Sequence, residues 1–144
     1  MKKTLLVLLV MLCTFFASMA QKKTDSVALN KKRNVPVTQF GVASFYADKF
    51  EGQRTCTDEV FTQHKLTAAC NTLPLNVWIK VTNLRNSKSV LVRINDRMHP
   101  ENPRLIDMSK SAAVALGYTG HGLTKVKIQY LGKKKPEEEA YAGN

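Results

Sequence analysis

Three carboxylates in the middle of the chain are placed where an acid can do chemistry: Glu59, Asp96 and Asp107. Asp96 ends the run Val90–Asn95, in which Val90, Val92 and Ile94 share one parity and Leu91, Arg93 and Asn95 the other. It continues the apolar parity, and the alternation stops after it at Arg97, Met98, His99 and Pro100. An acid in that position reads either as a turn cap or as a carboxyl whose pKa burial raises. A raised carboxyl passes protons at neutral pH. Cleavage of a glycosidic bond needs such a donor for the leaving oxygen, and a second group that stabilises or traps the oxocarbenium-like centre. Glu59 lies in a loop able to approach Asp96. Asp107 stands two residues before Ser109, where an acid equally serves a helix dipole or fixes backbone. His64, His99 and His121 fall in loops and read as loop residues before catalysts. Tyr46 and Trp78 offer rings that stack on a sugar, although Trp78 also reads as simple packing. No Ser-His-Asp order, phosphate loop or dinucleotide fingerprint is present, so no cofactor is implied. The spacing of Cys56, Cys70, His64 and His99 fits no zinc pattern, so no metal is expected.

The elements that must position these groups are short. Gln39 to Tyr46 reads as a strand, followed by an irregular stretch from Ala47 to Thr62. Lys65 to Leu75 reads as a turn-rich connector with Pro74 fixing its exit. Asn76 to Asn83 and Val90 to Asn95 form a hairpin, with Asn86-Ser87 in the turn where Asn-Gly is more usual. Arg104 to Asp107 is a short extended piece. Ser109 caps a helix over Lys110–Leu116, which Gly117 ends. Leu123 to Leu131 is the last strand. Short strands, one short helix and Gly/Pro turns imply a mainly β fold, a small closed barrel.

The chain ends set the compartment. Residues 1–20 read as a secretory signal peptide: Lys2 and Lys3, an apolar run from Leu5 to Phe16, then Ser18-Met19-Ala20 as the cleavage site. Met11 and Leu12 before Cys13 argue against a lipoprotein, and the apolar run is too short for a stable membrane anchor. Residues 21–37 are a basic flexible linker, 38–132 the folded domain, and 133–144 a disordered charged tail. The whole chain carries a net charge of +11, and losing Lys2 and Lys3 leaves about +9. For an exported, periplasmic or cell-envelope protein, this charge points to wall polymers and anionic glycans, with no nucleic acid as partner. Cys56 and Cys70 remain after cleavage, and in an oxidising compartment they are expected to pair as a disulfide.

Four segments together, GVASFYADKFEGQRT, LTAACNTLPL, VWIKVTNLRNSKSVLVRINDR and RLIDMSKSAAVALG, resemble the RlpA family (rare lipoprotein A) in order and spacing across Gln39–Leu131. The resemblance implies a six-stranded double-psi β-barrel with one short helix. It implies an exported lytic transglycosylase that cuts peptidoglycan glycan strands between N-acetylmuramic acid and N-acetylglucosamine without water and leaves 1,6-anhydro ends. The family's aspartate falls on Asp96, as general acid and then base, and its glutamate on Glu59, which assists. Asp107 and His99 are supporting residues, and Tyr46, Trp78 and Arg97 hold the glycan, with the protein acting as a monomer. This chain departs from the family pattern in four places. Cys70 replaces a histidine and Cys56 a small residue. Asp58 stands for the glycine before the glutamate, and Met98-His99 for the glycine of the DRGP turn. The alternative reading is an expansin-like module that binds or loosens glycan without cutting it. A weaker third reading is an inhibitor or interaction domain using the same face.

Overall fold

Alternating side chains make the sheet, and the sheet closes on itself. A computed structural model describes residues 38–137, and all that follows concerns those residues. The expectations for 1–20, 21–37 and 138–144 lie outside them. Six strands form one closed barrel: β1 (Thr38–Phe45), β2 (Thr67–Ala69), β3 (Trp78–Asn83), β4 (Ser89–Asp96), β5 (Ile106–Met108) and β6 (Thr124–Gly132). Their order round the barrel is β1-β5-β2-β4-β3-β6. The β1–β5 and β2–β4 pairs are parallel and the others antiparallel. One helix, α1 (Lys110–Leu116), leads from β5 towards β6. This is the mainly β, six-stranded double-psi barrel with one short helix that the sequence implied.

Strand β3 shows why the barrel fills. Ile79, Val81 and Asn83 are buried while Trp78, Lys80 and Thr82 turn outward. Opposite them, Val92 and Ile94 of β4 and Val126 and Ile128 of β6 are fully buried, and together with Ile106 and Met108 of β5 they form one apolar interior. Burying each such side chain contributes about 1.5–3 kcal/mol. The one polar member of this row is fully paired. Asn83 donates to the Leu116 carbonyl at 2.9 Å and accepts from the Thr124 hydroxyl at 2.9 Å and the Arg85 amide at 3.0 Å. It thereby ties the end of α1 to the barrel.

The helix is where the sequence placed it. The Ser109 hydroxyl accepts from the Ala112 amide at 3.4 Å, and Gly117 takes the left-handed conformation (φ 71°) that terminates the helix. In the hairpin turn, Ser87 takes a left-handed φ of 60° in the place Gly usually fills.

One expectation is corrected. Lys65–Leu75 is not wholly a connector: Thr67, Ala68 and Ala69 are a fully buried strand between β4 and β5. Three residues, two of them alanine, are too few to show a period of two, and only the flanking strands make them β. The register of β2 on β4 shifts between Ala68 and Ala69, so that Ala69 faces Asp96. Among the described residues no helix is long and apolar enough to cross a membrane.

Candidate active site

Asp96 is the last residue of β4, and three elements converge on it. The parity that buries Val92 and Ile94 carries Asp96 to the barrel's end, where its carboxylate is half-buried. The Tyr46 hydroxyl, just past the end of β1, donates to Oδ2 at 2.8 Å. The Cys56 amide donates to Oδ1 at 3.0 Å, and the carboxylate beside it pushes the Cys56 thiol above its ordinary pKa. The backbone is fixed too, because the Cys70 amide donates to the Asp96 carbonyl at 3.2 Å. Asp96 therefore sits in a preset cradle of donors. It opens on a cleft of about 650 Å³ lined by Phe45, Tyr46, Phe50, Phe61, Arg97 and Asp107 among others.

The loop that brings Cys56 to Asp96 is a tight turn. Arg54 and Val60 form a β-bridge, the Thr55 amide donates to the Glu59 carbonyl at 2.9 Å, and the Asp58 amide donates to the Thr55 carbonyl at 3.0 Å. Asp58 holds a left-handed φ of 61°, a conformation Asp tolerates better than most residues. A glycine would take the same conformation without strain. Glu59 closes the loop onto the barrel. The Arg93 guanidinium of β4 donates to both its oxygens, at 2.7 and 2.6 Å, and the Thr57 hydroxyl donates at 3.3 Å. Arg93 holds the Glu59 carboxyl down to a pKa of about 2, mainly through those hydrogen bonds. Glu59 is thus a fixed anion. It does not line the cleft that holds Asp96, and its Arg93 partner belongs to the strand that Asp96 ends.

Asp107 of β5 lines the cleft and is clamped by Arg104, with Nε on Oδ1 at 2.7 Å and Nη2 on Oδ2 at 2.8 Å. The i,i+3 offset pairs Asp107 with Arg104 instead of with the helix start. Arg97 lines the cleft and donates to the Cys70 carbonyl. His99 also lines it, but its Nδ1 accepts from the Glu101 amide at 3.3 Å, so its ring serves the turn. The buried Met98 is held by its amide on the Asn71 side chain at 2.9 Å.

Two expectations change. Tyr46 is not a free stacking platform. Its ring packs on Phe61 (centroids 4.4 Å) and edge-on to Phe50 (5.6 Å), while its hydroxyl serves Asp96. Burial and that hydrogen bond push the phenol far above its ordinary pKa, so it remains a donor. The second change concerns the cysteines. Cys56 and Cys70 are free thiols, Cys56 exposed and Cys70 buried. The Cys70 sulfur lies 3.3 Å from the Thr72 hydroxyl. Trp78 is not brought to this cleft; it lines a groove on the β3–β4 face. His64 and His121 are exposed loop residues. Phe50, Phe61 and Arg104 are cleft residues that the sequence reading missed. Among the described residues no three His, Cys, Asp or Glu converge as a metal site requires.

The family model described as lytic transglycolase, a double-psi β-barrel family, matches residues 38–128. The chain is 44% identical over 91 residues to the endolytic peptidoglycan transglycosylase RlpA of Pasteurella multocida, covering 63% of this chain and 31% of that protein. It is 46% identical over 105 residues to that of Rickettsia bellii, covering 69% of this chain and 46% of that protein. The chain thus spans from about a third to about half the length of these relatives. Among solved structures, an expansin of Clavibacter michiganensis in complex with cellohexaose superposes with a TM-score of 0.54 at 16% identity, over 70% of this chain and 54% of that one. A barrel of this strand order, with the matched segments running from β1 into β6, places the chain in the lytic transglycolase family of RlpA-like double-psi β-barrels.

Proposed function

We propose that this protein is a peptidoglycan lytic transglycosylase with Asp96 as its proton carrier. The observation that supports this most directly is the cradle at Asp96: one carboxyl at the rim of an aromatic-walled cleft, positioned by the Tyr46 hydroxyl and the Cys56 amide. On this reading, protonated Asp96 gives its proton to the glycosidic oxygen leaving N-acetylmuramic acid C1. The muramic O6 attacks C1, and its proton passes to the carboxylate just formed. One bond to C1 breaks, one forms, no water is consumed, and Asp96 ends as it began. Tyr46 and Cys56 stabilise the carboxylate between the two transfers. Glu59 is an anion throughout and assists by holding the loop that presents Cys56, while Arg97, Arg104 and Asp107 shape the cleft. The protein acts as a monomer on glycan strands in the cell envelope, after export and removal of residues 1–20.

The test is mass spectrometry of sacculi incubated with the purified protein. The wild type releases 1,6-anhydro muropeptides, and Asp96→Asn lowers release by roughly 10³-fold or more, as loss of a general acid does. Equal release by the variant would remove Asp96 from the role. An expansin-like module that binds without cutting is the second reading. Its support is Cys70, which is buried and turned to Thr72 where the family carries a histidine. That reading predicts sedimentation with sacculi and no new ends.

A further inference from the structure

A second groove lies on the outer face of β3 and β4. It encloses about 530 Å³, and its lining includes Trp78, Leu66, Leu91, Lys65, Arg93 and Lys135, with no carboxylate among the lining residues. The cleft at Asp96 contributes none of these residues. The strand pattern accounts for the groove: the alternation that buries Ile79 and Val92 turns Trp78 and Arg93 outward, paired across the two strands. Trp78 is half-exposed, and the Lys135 ammonium stands 5.6 Å from its ring centroid. That cation marks an electron-rich ring face near the surface. Lys65 and Leu66 are exposed at the edge of the groove. An aromatic floor with cations round it has a defined chemistry. The ring face takes the apolar face of a sugar, and the ammonium groups take carboxylates.

We propose that this groove is a second binding site, distinct from the cleft, for a carboxylate-bearing glycan strand: a sugar ring on Trp78, and its acidic substituents on Lys65 and Lys135. The choice of a wall glycan as the polymer rests on the function proposed above, whereas the requirement for a ring and negative charge comes from the groove itself. Arg93 joins the two sites. It lines the groove and anchors Glu59, in the loop whose Cys56 holds Asp96. A strand bound at Trp78 is therefore held beside the loop that shapes the cleft.

Trp78 is the chain's single tryptophan, so its emission reports on the groove alone. The full chain carrying Asp96→Asn, which removes cleavage from the readout, is titrated with soluble glycan strands bearing stem peptides. Parallel titrations use the same strands after amidation of their carboxylates, and chitohexaose. Saturable change in emission is expected with the native strands. Binding should fall roughly tenfold on amidation, and by a similar factor with Lys65→Glu and Lys135→Glu combined. It should weaken again as salt rises from about 0.05 to about 0.5 M. Both lysines are exposed, and circular dichroism confirms that the double variant folds. Three outcomes would overturn the inference. The native strands leave emission unchanged. Amidated and native strands bind equally. Or deletion of residues 136–144 changes emission while no strand does, which assigns the groove to the chain's own acidic tail. Cleavage by the wild type without a Trp78 response sinks this site and leaves the proposed function standing; a Trp78 response without cleavage does the reverse.

Discussion

At the scale of single residues, an unusual feature is a cysteine whose backbone amide holds the carboxylate that the proposed reaction uses. Cys56 is exposed, yet hydrogen bonding to Asp96 followed by burial pushes its thiol above the ordinary value and keeps it protonated. Alkylation by iodoacetamide at pH 8 should therefore be slower at Cys56 than at an unperturbed exposed cysteine. It should quicken in Asp96→Asn, because the anion that disfavours the thiolate is gone. An unchanged rate in that variant would mean the thiol does not rest on Asp96. Buried Cys70 should stay unreacted until the protein unfolds. Glu59 gives a second prediction. Its folded pKa of about 2 lies below the ordinary 4.5, so its contribution to stability is complete above pH 4.5 and is lost as pH falls towards 2. Glu59→Gln should cost on the order of 1 kcal/mol at neutral pH, since the pair is partly exposed, and should flatten the acid side of the stability curve over that window. Acid titration of unfolding by urea checks both. A variant that loses stability between pH 4.5 and 2 as steeply as the wild type refutes the assignment. The place of Asp96 at the end of its strand was legible in the chain because strand parity is local. The partners of Cys56 and Tyr46 were not, since Asp96 lies 40 and 50 positions away from them.

At the scale of elements, close contact between strands leaves little room for change. A Cβ on Gly41 of β1 would meet the Cβ of Leu105 at 2.6 Å, backed by the rest of that side chain. The Leu105 amide is held on the Val42 carbonyl at 2.9 Å, so this approach is fixed by hydrogen bonding rather than by packing alone. Gly41→Ala should destabilise the fold by about 1–3 kcal/mol, measured by urea unfolding, the usual result of forcing atoms into a filled site. A neutral effect would show that Leu105 can swing aside. The elements differ in how much of themselves they carry in sequence. Helix α1 has its cap, its alanines and its terminating glycine within nine positions, and β3, β4 and β6 show apolar alternation, so each was found within two residues. Strand β2 has neither length nor pattern. Its three residues are β only because β4 and β5 flank them on both sides, which is information from distant parts of the chain.

At the scale of the whole molecule, an apolar barrel interior is combined with a cationic composition, and two recesses open at different places on the barrel. The charge of +11 was plain from composition, but its concentration round Trp78 required the β3–β4 register. Closure of the barrel has a consequence of its own. Strand β6 is hydrogen-bonded to β1 on one side and β3 on the other, so the last strand in the chain is the stave that completes the cask. A chain that ends before Thr124 keeps two long strands with bare edges, and bare edges seek strands from other molecules. Fragments that end before Thr124 should therefore aggregate rather than retain part of the barrel, and light scattering of the purified fragment checks this; a monodisperse fragment would show that β1 and β3 tolerate bare edges.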